Sequence, residues 1–354
     1  MSSSLSRNAL RTAYRAQQRG FFLQCLAAHR VFRSLMGSEF RPRPEELAAL
    51  EAGYEHAIER DWADADADVY PRQLLFQLPA AEYAKVFPKL LSDFPRIARR
   101  AKRGDFQDLP AGVNLTAYPD YYRRNYHWQT DGYFSRRSAE LYDVGAEFVL
   151  FGLADVLRRR VLPHVARYVT EQGLPRAQIL DVASGTGSLL RQMAAAYPEH
   201  KYYGIELSPF YAEFARERLG RSDAVFVSDN AEAMPFKDGF FDVVTCAHLL
   251  HELPKPARGN VLREMRRVLK PGGLLVVEDS IQADADRTLL PFQQRFADEF
   301  HEPYYRDYLK DDLASALHGA GFAVRSVETH FLAKIAVAKC PSVKRTARLS
   351  RRLD

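Results

Sequence analysis

The sequence predicts an α/β fold, in which an N-terminal helical domain precedes a seven-stranded, mostly parallel sheet that ends in an antiparallel hairpin. Three observations support this prediction. Helical periodicity dominates before residue 140. After residue 175, short apolar runs alternate with helical segments, which is typical of a parallel sheet covered on both faces. The last two runs are separated by a turn-length gap, which favours an antiparallel pair.

Length and composition predict a soluble globular protein. The chain has 354 residues, of which 47% are hydrophobic and 27% charged, enough for a main domain and an appended one. Its net charge of +5 comes from 50 basic and 45 acidic residues, a balance that argues against a nucleic-acid partner. Three scattered cysteines fit a reducing compartment. Because no long apolar run predicts a membrane span, we expect a cytoplasmic protein.

The two ends of the chain are basic. The first 38 residues contain six arginines and no acidic residue, which resembles a targeting presequence in composition. Apolar side chains recur there at helical spacing, at Leu10, Tyr14, Phe21, Cys25, Phe32 and Leu35. We therefore expect an amphipathic helix that packs on the body or on a second subunit of a homodimer, with a targeting or membrane-surface role as the alternative. Residues 341–354 predict a frayed tail, with contact to anionic lipid as its alternative.

Helical segments fill most of residues 44–169. The acidic stretch DWADADADV predicts a loop, because Asp is unfavourable inside helices. The following helical region contains prolines that predict breaks. Residues 138–169 predict one or two long helices. A boundary near residue 140 then separates a helical lid domain, residues 1–139, from a sheet domain, residues 140–340.

Seven runs are the predicted strands, and the first leads into the most informative turn. The runs are RAQILDVAS, KYYGIELS, AVFVSD, FDVVTCAH, GGLLVVEDS, FAVRSVETHF and LAKIAVAK. In ILDVASGTGSLL the strand ends at Asp181, and Gly185 and Gly187 precede a helix. Glycines let backbone amides approach a ligand, and a helix N-terminus favours anionic groups. The third glycine of a dinucleotide fingerprint is missing, since Leu190 stands there.

This turn resembles the cofactor loop of class I S-adenosylmethionine-dependent methyltransferases, which have a Rossmann-like fold and an acidic residue followed by Gly-x-Gly-x-Gly. Ala183 replaces the first glycine. Four further motifs follow in the family's order: YYGIELS, VFVSDNAEAMPF, FDVVTCAHLLHEL and LREMRRVLKPGGLLVVEDS. The resemblance covers residues 178–340 and implies a methyltransferase whose cofactor is S-adenosyl-L-methionine.

The resemblance also implies cofactor contacts for individual residues. Asp181 would bind the methionine amino group directly or through water, although it could instead cap the following helix. Glu206 would accept hydrogen bonds from both ribose hydroxyls. Asp229 would meet the adenine amine, with Asp223 as a nearby alternative. Tyr142, next to Asp143, resembles the first member of a Tyr-Asp pair that closes on the cofactor in many relatives. The full predicted set is Tyr142, Asp181, Ala183, Gly185, Gly187, Glu206, Leu207, Asp229, Asn230 and Ala231.

Methyl transfer is an in-line displacement, so the protein must align the acceptor and remove any proton that it loses. His248 and His251 stand three positions apart and would face the active-site edge from one side of a short helix. Both are candidates for a general base or an acceptor-orienting group, and packing or capping is the alternative. HLLHE is not the HExxH zinc motif, and no Asp-Asp-Asn set is evident, so we expect no metal.

Aromatic residues concentrate on either side of the first five strand motifs. Between Tyr118 and Phe134 seven of seventeen residues are Phe, Trp or Tyr, and FADEFHEPYYRDYL carries a second group. In the family that the motifs resemble, these two places commonly fold over the cofactor cleft and form the acceptor pocket. The predicted acceptor contacts are Tyr126, His127, Trp128, Tyr133 and Tyr304. Each could instead join the helical domain to the sheet.

Together these features predict methyl transfer to a small, aromatic or apolar acceptor at carbon or oxygen. The motifs are most similar to small-molecule enzymes of ubiquinone and menaquinone biosynthesis, but the first 140 residues lie outside that resemblance. AHLLHELP stands in place of the Asn-Pro-Pro-Tyr motif of base methylation, which also argues against nucleic acid. The alternatives are a cofactor-binding protein without transferase activity, a methyltransferase of a membrane-associated quinone or lipid, and a nicotinamide dehydrogenase.

Overall fold

The structure is a computed structural model that describes residues 2–37, 41–77, 80–283 and 288–342. The predicted tail lies outside these ranges from residue 343 onward. The α-helices are α1 (Ser2–Met36), α2 (Pro44–Asp66), α3 (Ala80–Arg103), α4 (Arg136–Val149), α5 (Ala154–Arg159), α6 (Leu162–Glu171), α7 (Ser188–Ala196), α8 (Pro209–Leu219), α9 (Lys255–Val268), α10 (Leu290–Glu299), α11 (Tyr305–Tyr308) and α12 (Leu313–Gly319). The strands are β1 (Gln178–Val182), β2 (Lys201–Glu206), β3 (Val225–Ser228), β4 (Phe241–Ala247), β5 (Leu269–Ser280), β6 (Ala323–His330) and β7 (Ala333–Lys339).

All seven strands join one sheet in the order β3-β2-β1-β4-β5-β7-β6. Strands β1 to β5 are parallel, and β7 runs antiparallel to both of its neighbours. The predicted mostly parallel sheet with a terminal hairpin is therefore confirmed. The strand order reverses between β1 and β4, and open α/β sheets bind ligands at the carboxyl ends of strands beside such a reversal.

The sheet is covered on both faces, which explains why its inner strands are almost entirely apolar. Ile179 and Val243 belong to one buried cluster, whereas Leu180 and Val244 belong to another. Burying a side chain of this size contributes about 1.5–3 kcal/mol. The first cluster continues into α1 and α2, so the helices that precede the sheet share its core. The domain boundary near residue 140 stays a prediction.

Helix α1 packs on the body. Its side chains Tyr14, Cys25 and Phe32 are buried, whereas the predicted stripe members Leu10 and Leu35 are 42% and 50% exposed. Arginines in the first half of α1 form ion pairs along α2, which explains their four-residue spacing. These pairs join Arg11 to Glu59, Arg15 to Glu55 at 3.0 Å and Arg19 to Glu51 at 2.5 Å. In the described ranges, no helix combines the length and apolar character that crossing a membrane requires.

Three predictions about the helices were wrong. Helix α2 continues through the acidic stretch to Asp66, because buried Asp61 has partners there, including Arg159 Nη2 at 2.7 Å. Helix α3 contains Pro88 and Pro95 without ending at either; it packs against α1 and α4, and these contacts offset the missing donors. Residues 138–169 form three helices, because Glu147 caps α5 by accepting from the amides of Ala154 and Asp155.

Candidate functional site

A cavity that is open to solvent lies at the carboxyl ends of β1, β2 and β4, and its empty volume, counted together with this open space, is about 690 Å³. Its walls are the turn after β1, the end of β2, the loop after β3 and the segment that we call the aromatic loop, residues 118–134. The cavity thus lies at the reversal of strand order.

The turn after β1 brings backbone amides to the cavity. Ala183, Gly185 and Gly187 all have positive φ angles, of 55°, 53° and 74°. Ala183 and Gly185 line the cavity, whereas Gly187 is the N-cap residue of α7. A Cβ atom on Gly187 would lie 3.0 Å from the Cβ of Ala215 in α8, so this position needs glycine for space as well as for conformation.

Glu206 ends β2 and lines the cavity. Its Oε2 accepts from the amide of Gly185 at 3.0 Å, and its Oε1 accepts from the amide of Ser208 at 2.9 Å. Burial raises the pKa of the carboxyl group, while these amides lower it. The two amides also hold the carboxylate in one orientation, so Glu206 is a positioned acceptor for hydroxyl groups.

Asp181, at the end of β1, is buried beside the cavity rather than among its lining residues. Its Oδ1 accepts from the hydroxyl of Thr245 at 2.7 Å. Burial raises the pKa of Asp181 to about 7, against the lowering effect of that hydrogen bond. A nearby cationic group would therefore favour ionisation of this carboxyl group.

The loop after β3 contributes Asp229, Asn230 and Ala231 to the cavity wall, together with Leu207 after β2. The alternative residue Asp223 is absent from that wall and pairs instead with Arg221 at 3.1 Å. The structure thus brings Asp229, and not Asp223, to the same cavity as Glu206.

Helix α4 contributes Tyr142 to the cavity lining, and the next residue, Asp143, holds the helix in place. Asp143 accepts from the hydroxyls of Thr186 at 2.9 Å and Ser188 at 3.0 Å, and it pairs with Arg218. Burial opposes ionisation of Asp143, but Arg218 and other partners outweigh burial and lower its pKa. Asp143 therefore ties α4 to the turn after β1.

The aromatic loop covers the cavity with three tyrosines. Tyr121, Tyr122 and Tyr133 line the wall. Their hydroxyls point to carboxylates on other segments: Tyr121 donates to Glu232 at 2.7 Å, Tyr133 donates to Glu252 at 2.7 Å, and the Tyr122 oxygen lies 3.4 Å from Glu206. Each ring thus combines apolar area with a polar anchor.

Of the predicted acceptor contacts, Tyr133 alone belongs to the cavity lining. Tyr126 is buried, with its hydroxyl 2.8 Å from the carbonyl of Tyr121, and Trp128 donates through Nε1 to the carbonyl of Glu299 at 3.0 Å. Tyr304 stacks against the guanidinium of Arg124. His127 lies 2.7 Å from Glu302. These four side chains connect the aromatic loop to segments after β4 and β5.

The prediction that His248 and His251 lie on one side of a short helix was wrong: His248 has a left-handed φ of 52°, and only His251 belongs to the 3-10 turn Leu250–Glu252. The two candidate catalytic histidines also have different surroundings. His248 lines the cavity, and burial lowers its pKa to about 3. Burial also acts to lower the pKa of His251, but Asp279, whose Oδ1 lies 2.6 Å from Nδ1, outweighs it and raises the pKa to about 9. The rings lie 6.2 Å apart. His248 therefore faces the cavity as a neutral side chain, and His251 forms a buried ion pair beside it.

Sequence reasoning missed several lining residues, namely Tyr121, Tyr122, Tyr211 and Glu252. Glu252 directly follows His251, so its place after the fourth strand was a usable signal. Burial and the nearby Glu302 raise the pKa of Glu252 to about 7. For the tyrosines the signal was the density of rings, which indicated the loop but not which rings face inward.

Comparison with known proteins agrees with this geometry. Residues 179–273 match the family described as "Methyltransferase domain". Together with the strand order, this match confirms the resemblance to class I S-adenosylmethionine-dependent methyltransferases that was noted from the motifs.

Two curated relatives illustrate the likeness. The chain is 32% identical to a demethylmenaquinone methyltransferase of Thermotoga maritima over 43% of this chain and 62% of that one. It is 29% identical to a malonyl-[acyl-carrier protein] O-methyltransferase of Geobacter sulfurreducens over 49% of this chain and 64% of that one. The chain thus spans less than two thirds of each relative.

Among solved structures, a SAM-dependent methyltransferase from Aquifex aeolicus is 22% identical, with a TM-score of 0.41 over 58% of this chain and 99% of that one. At this TM-score the superposition adds nothing to the assignment.

Proposed function

We propose that the protein transfers a methyl group from S-adenosylmethionine to a small, aromatic or apolar acceptor at carbon or oxygen. The observation that carries this proposal is the placement of Glu206 between the turn after β1 and the loop that holds Asp229. A carboxylate held by two amides can accept hydrogen bonds from two adjacent hydroxyls, as a ribose presents. Asp229 and Asn230 would then lie toward the adenine.

The acceptor class is inferred from the covering wall. Tyr121, Tyr122 and Tyr133 offer apolar faces to the cavity, and a ring-lined cover excludes water from the reacting groups. The menaquinone-type activity named for one relative fits an acceptor of this kind. We expect Tyr133 to contact the acceptor, with Tyr126, His127, Trp128 and Tyr304 holding the loop in place.

Chemistry at this site requires alignment more than proton transfer, because the sulfonium is already electrophilic. Since the lowered pKa of His248 keeps its ring neutral near pH 7, we assign it the role of orienting the acceptor by a hydrogen bond. His251 would hold the segment after β4 in place through Asp279.

The test has a binding step and a transfer step. The dissociation constant of S-adenosylmethionine is measured by calorimetry for the full chain, for Glu206→Ala and for the control Glu328→Ala on edge strand β6. Loss of a carboxylate paired to hydroxyls costs about 1.5–3 kcal/mol, so we expect Glu206→Ala to weaken binding about ten-fold or more. The control should bind as the unaltered chain does.

The transfer step incubates the protein and labelled S-adenosylmethionine with a metabolite extract. Label in the organic-soluble fraction supports the proposal, and label only in protein or nucleic acid contradicts the acceptor class. Cofactor binding without any labelled product would favour a binding protein instead. Unchanged affinity in Glu206→Ala would remove this residue from the site.

A further inference from the structure

Three side chains from separate segments meet beside the cavity. His127 belongs to the aromatic loop, Glu252 to the 3-10 turn after β4, and Glu302 to the segment between α10 and α11. One imidazole nitrogen and one oxygen from each carboxylate all lie within 4.8 Å of one another. Glu252 also lines the cavity. We propose that these three side chains bind a divalent transition-metal ion next to the place where the acceptor binds.

The strongest observation concerns Glu302. Its side chain is 0% exposed, and neither of its carboxylate oxygens has a hydrogen-bond partner among the described residues. His127 Nε2 lies 2.7 Å from Glu302 Oε1 as an ion-pair contact. One imidazole contact leaves most acceptor positions of this buried carboxylate unfilled, which is costly, so a further ligand is needed to fill them. A bound cation would serve as this ligand.

The backbone holds the imidazole toward this carboxylate. His127 and Trp128 both have left-handed φ angles, of 54° and 56°, which non-glycine residues keep only where their surroundings impose them. Hydrogen bonds of Trp128 impose this conformation. Arg100 donates to the Trp128 carbonyl at 2.9 Å, and the Trp128 indole donates to the Glu299 carbonyl at 3.0 Å. The position of His127 is therefore set by the hydrogen bonds that the carbonyl and the indole of Trp128 form.

The donor set indicates the class of ion. Imidazole suits zinc and iron, and carboxylates suit manganese and magnesium, so one imidazole with two carboxylates fits Mn²⁺, Fe²⁺ or Zn²⁺. Three protein ligands leave coordination positions open for an outside molecule. Tyr133 donates to Glu252 Oε1 at 2.7 Å and would orient this ligand, as outer-shell groups commonly do. No motif could reveal the set, because its members are far apart in the chain.

The ion would face the cavity through Glu252, and an acceptor oxygen could complete its coordination. A cation there would lower the pKa of an acceptor hydroxyl, whose proton would pass to solvent. The resulting oxygen anion would form the new bond to the methyl carbon as the S–CH3 bond breaks and S-adenosylhomocysteine leaves. This role rests on the proposed methyl transfer, whereas the binding of the metal does not. The competing explanation is a metal-free ion cluster, in which a protonated His127 lies between two carboxylates.

Direct metal binding separates the two explanations. The full chain is freed of metal by dialysis against a chelator and titrated with Mn²⁺, whose free-ion electron paramagnetic resonance signal falls on binding. We expect the unaltered chain to bind about one equivalent, and Glu302→Gln or His127→Gln to bind at least about ten-fold more weakly. The matched control is Glu199→Gln, which changes another glutamate beside a histidine, His200 at 3.6 Å, and should bind as the unaltered chain does.

Two results would overturn the proposal: no binding of Mn²⁺ and none of Zn²⁺ in a competition assay with an indicator, or full binding by both cluster variants. The unaltered chain decides the first point even if a variant fails to fold, which thermal unfolding would reveal. Binding of S-adenosylmethionine is measured on the same metal-free protein. Cofactor binding without metal binding contradicts only the metal site, and metal binding without cofactor binding contradicts only the proposed function.

Discussion

Two walls of the cavity differ in how far apart their contacting residues lie in the chain. The wall at the ends of β1, β2 and β3 holds residues within three positions of a strand end, such as Gly185 and Asp229. The opposite wall, the aromatic loop, depends on distant contacts. Tyr122 meets Glu206 across 84 positions, and Tyr133 meets Glu252 across 119. The first wall follows from the turns that end parallel strands, and the second exists only once the helices before it have packed.

The largest effect should come from breaking the attachment of the first helices. Asp61 in α2 is fully buried and binds Arg159 in α5 through two hydrogen bonds of 2.8 and 2.7 Å. Asp61→Ala leaves a buried, unpaired arginine, so we expect the free energy of unfolding to fall by about 3–5 kcal/mol in urea denaturation. Glu59→Ala, which removes the partly exposed ion pairs of Glu59 with Arg11 and Arg15 of α1, should cost below about 1 kcal/mol. Equal losses of unfolding free energy in the two variants would mean that burial does not make the Asp61 interaction stronger than the interactions of Glu59.

The next effect concerns the strand-end wall and its pH dependence. Asp181, near Thr245, Arg158 and Glu206, has a pKa of about 7 because it is buried. If its ionised form binds the cofactor amino group, protonation weakens binding, so the dissociation constant should rise about ten-fold for each pH unit below 7 and level off above it. Calorimetry between about pH 5.5 and 8 measures this trend. Asp181→Asn should bind weakly with a flat profile, and a flat profile in the unaltered chain would contradict the role.

A smaller effect should reveal how the aromatic loop acts on the cofactor. Tyr122→Ala removes a ring from the cavity wall and should raise the dissociation constant of S-adenosylmethionine about three- to ten-fold, in line with the value of an aromatic contact. Tyr122→Phe should change it less than about three-fold, because a 3.4 Å contact is at the limit of a hydrogen bond. Tyr118→Ala, in the same loop but outside the lining, is the control. If all three variants bind alike, the loop does not contact the cofactor.

The smallest effect is expected at Ala183. Its φ of 55° is left-handed, which costs an L-residue about 1–2 kcal/mol. Ala183→Gly removes that cost but adds about 0.4–1 kcal/mol of unfolded-state entropy, so we expect a gain in stability between about 0 and 1.6 kcal/mol. Thermal unfolding measures it. A lower melting temperature would show that the methyl group packs favourably in this turn.

The strand-end wall was largely predictable from the sequence. The predicted residues Ala183, Gly185, Glu206, Leu207 and Asp229 do line one cavity. Their roles toward the cofactor remain predictions. The covering wall was predictable only as a concentration of rings. Tyr133 faces the cavity, whereas Tyr126 and Trp128 anchor the loop through hydrogen bonds to other segments. The spacing of these residues does not distinguish the rings that line the cavity from those that anchor the loop.

By itself the sequence determined the parallel sheet, its final hairpin and the turn after β1. These features are set by local patterns, namely the alternation of apolar runs with helical segments and the glycines that adopt positive φ angles. Only the tertiary structure decided that Asp61 is a buried partner of Arg159, that α2 continues through an acidic stretch, and that His127, Glu252 and Glu302 meet. The physical reason is that a charged side chain is stabilised by whatever lies beside it after folding. Those neighbours come from segments that are far apart in the sequence, and no sequence pattern indicates that these segments come into contact.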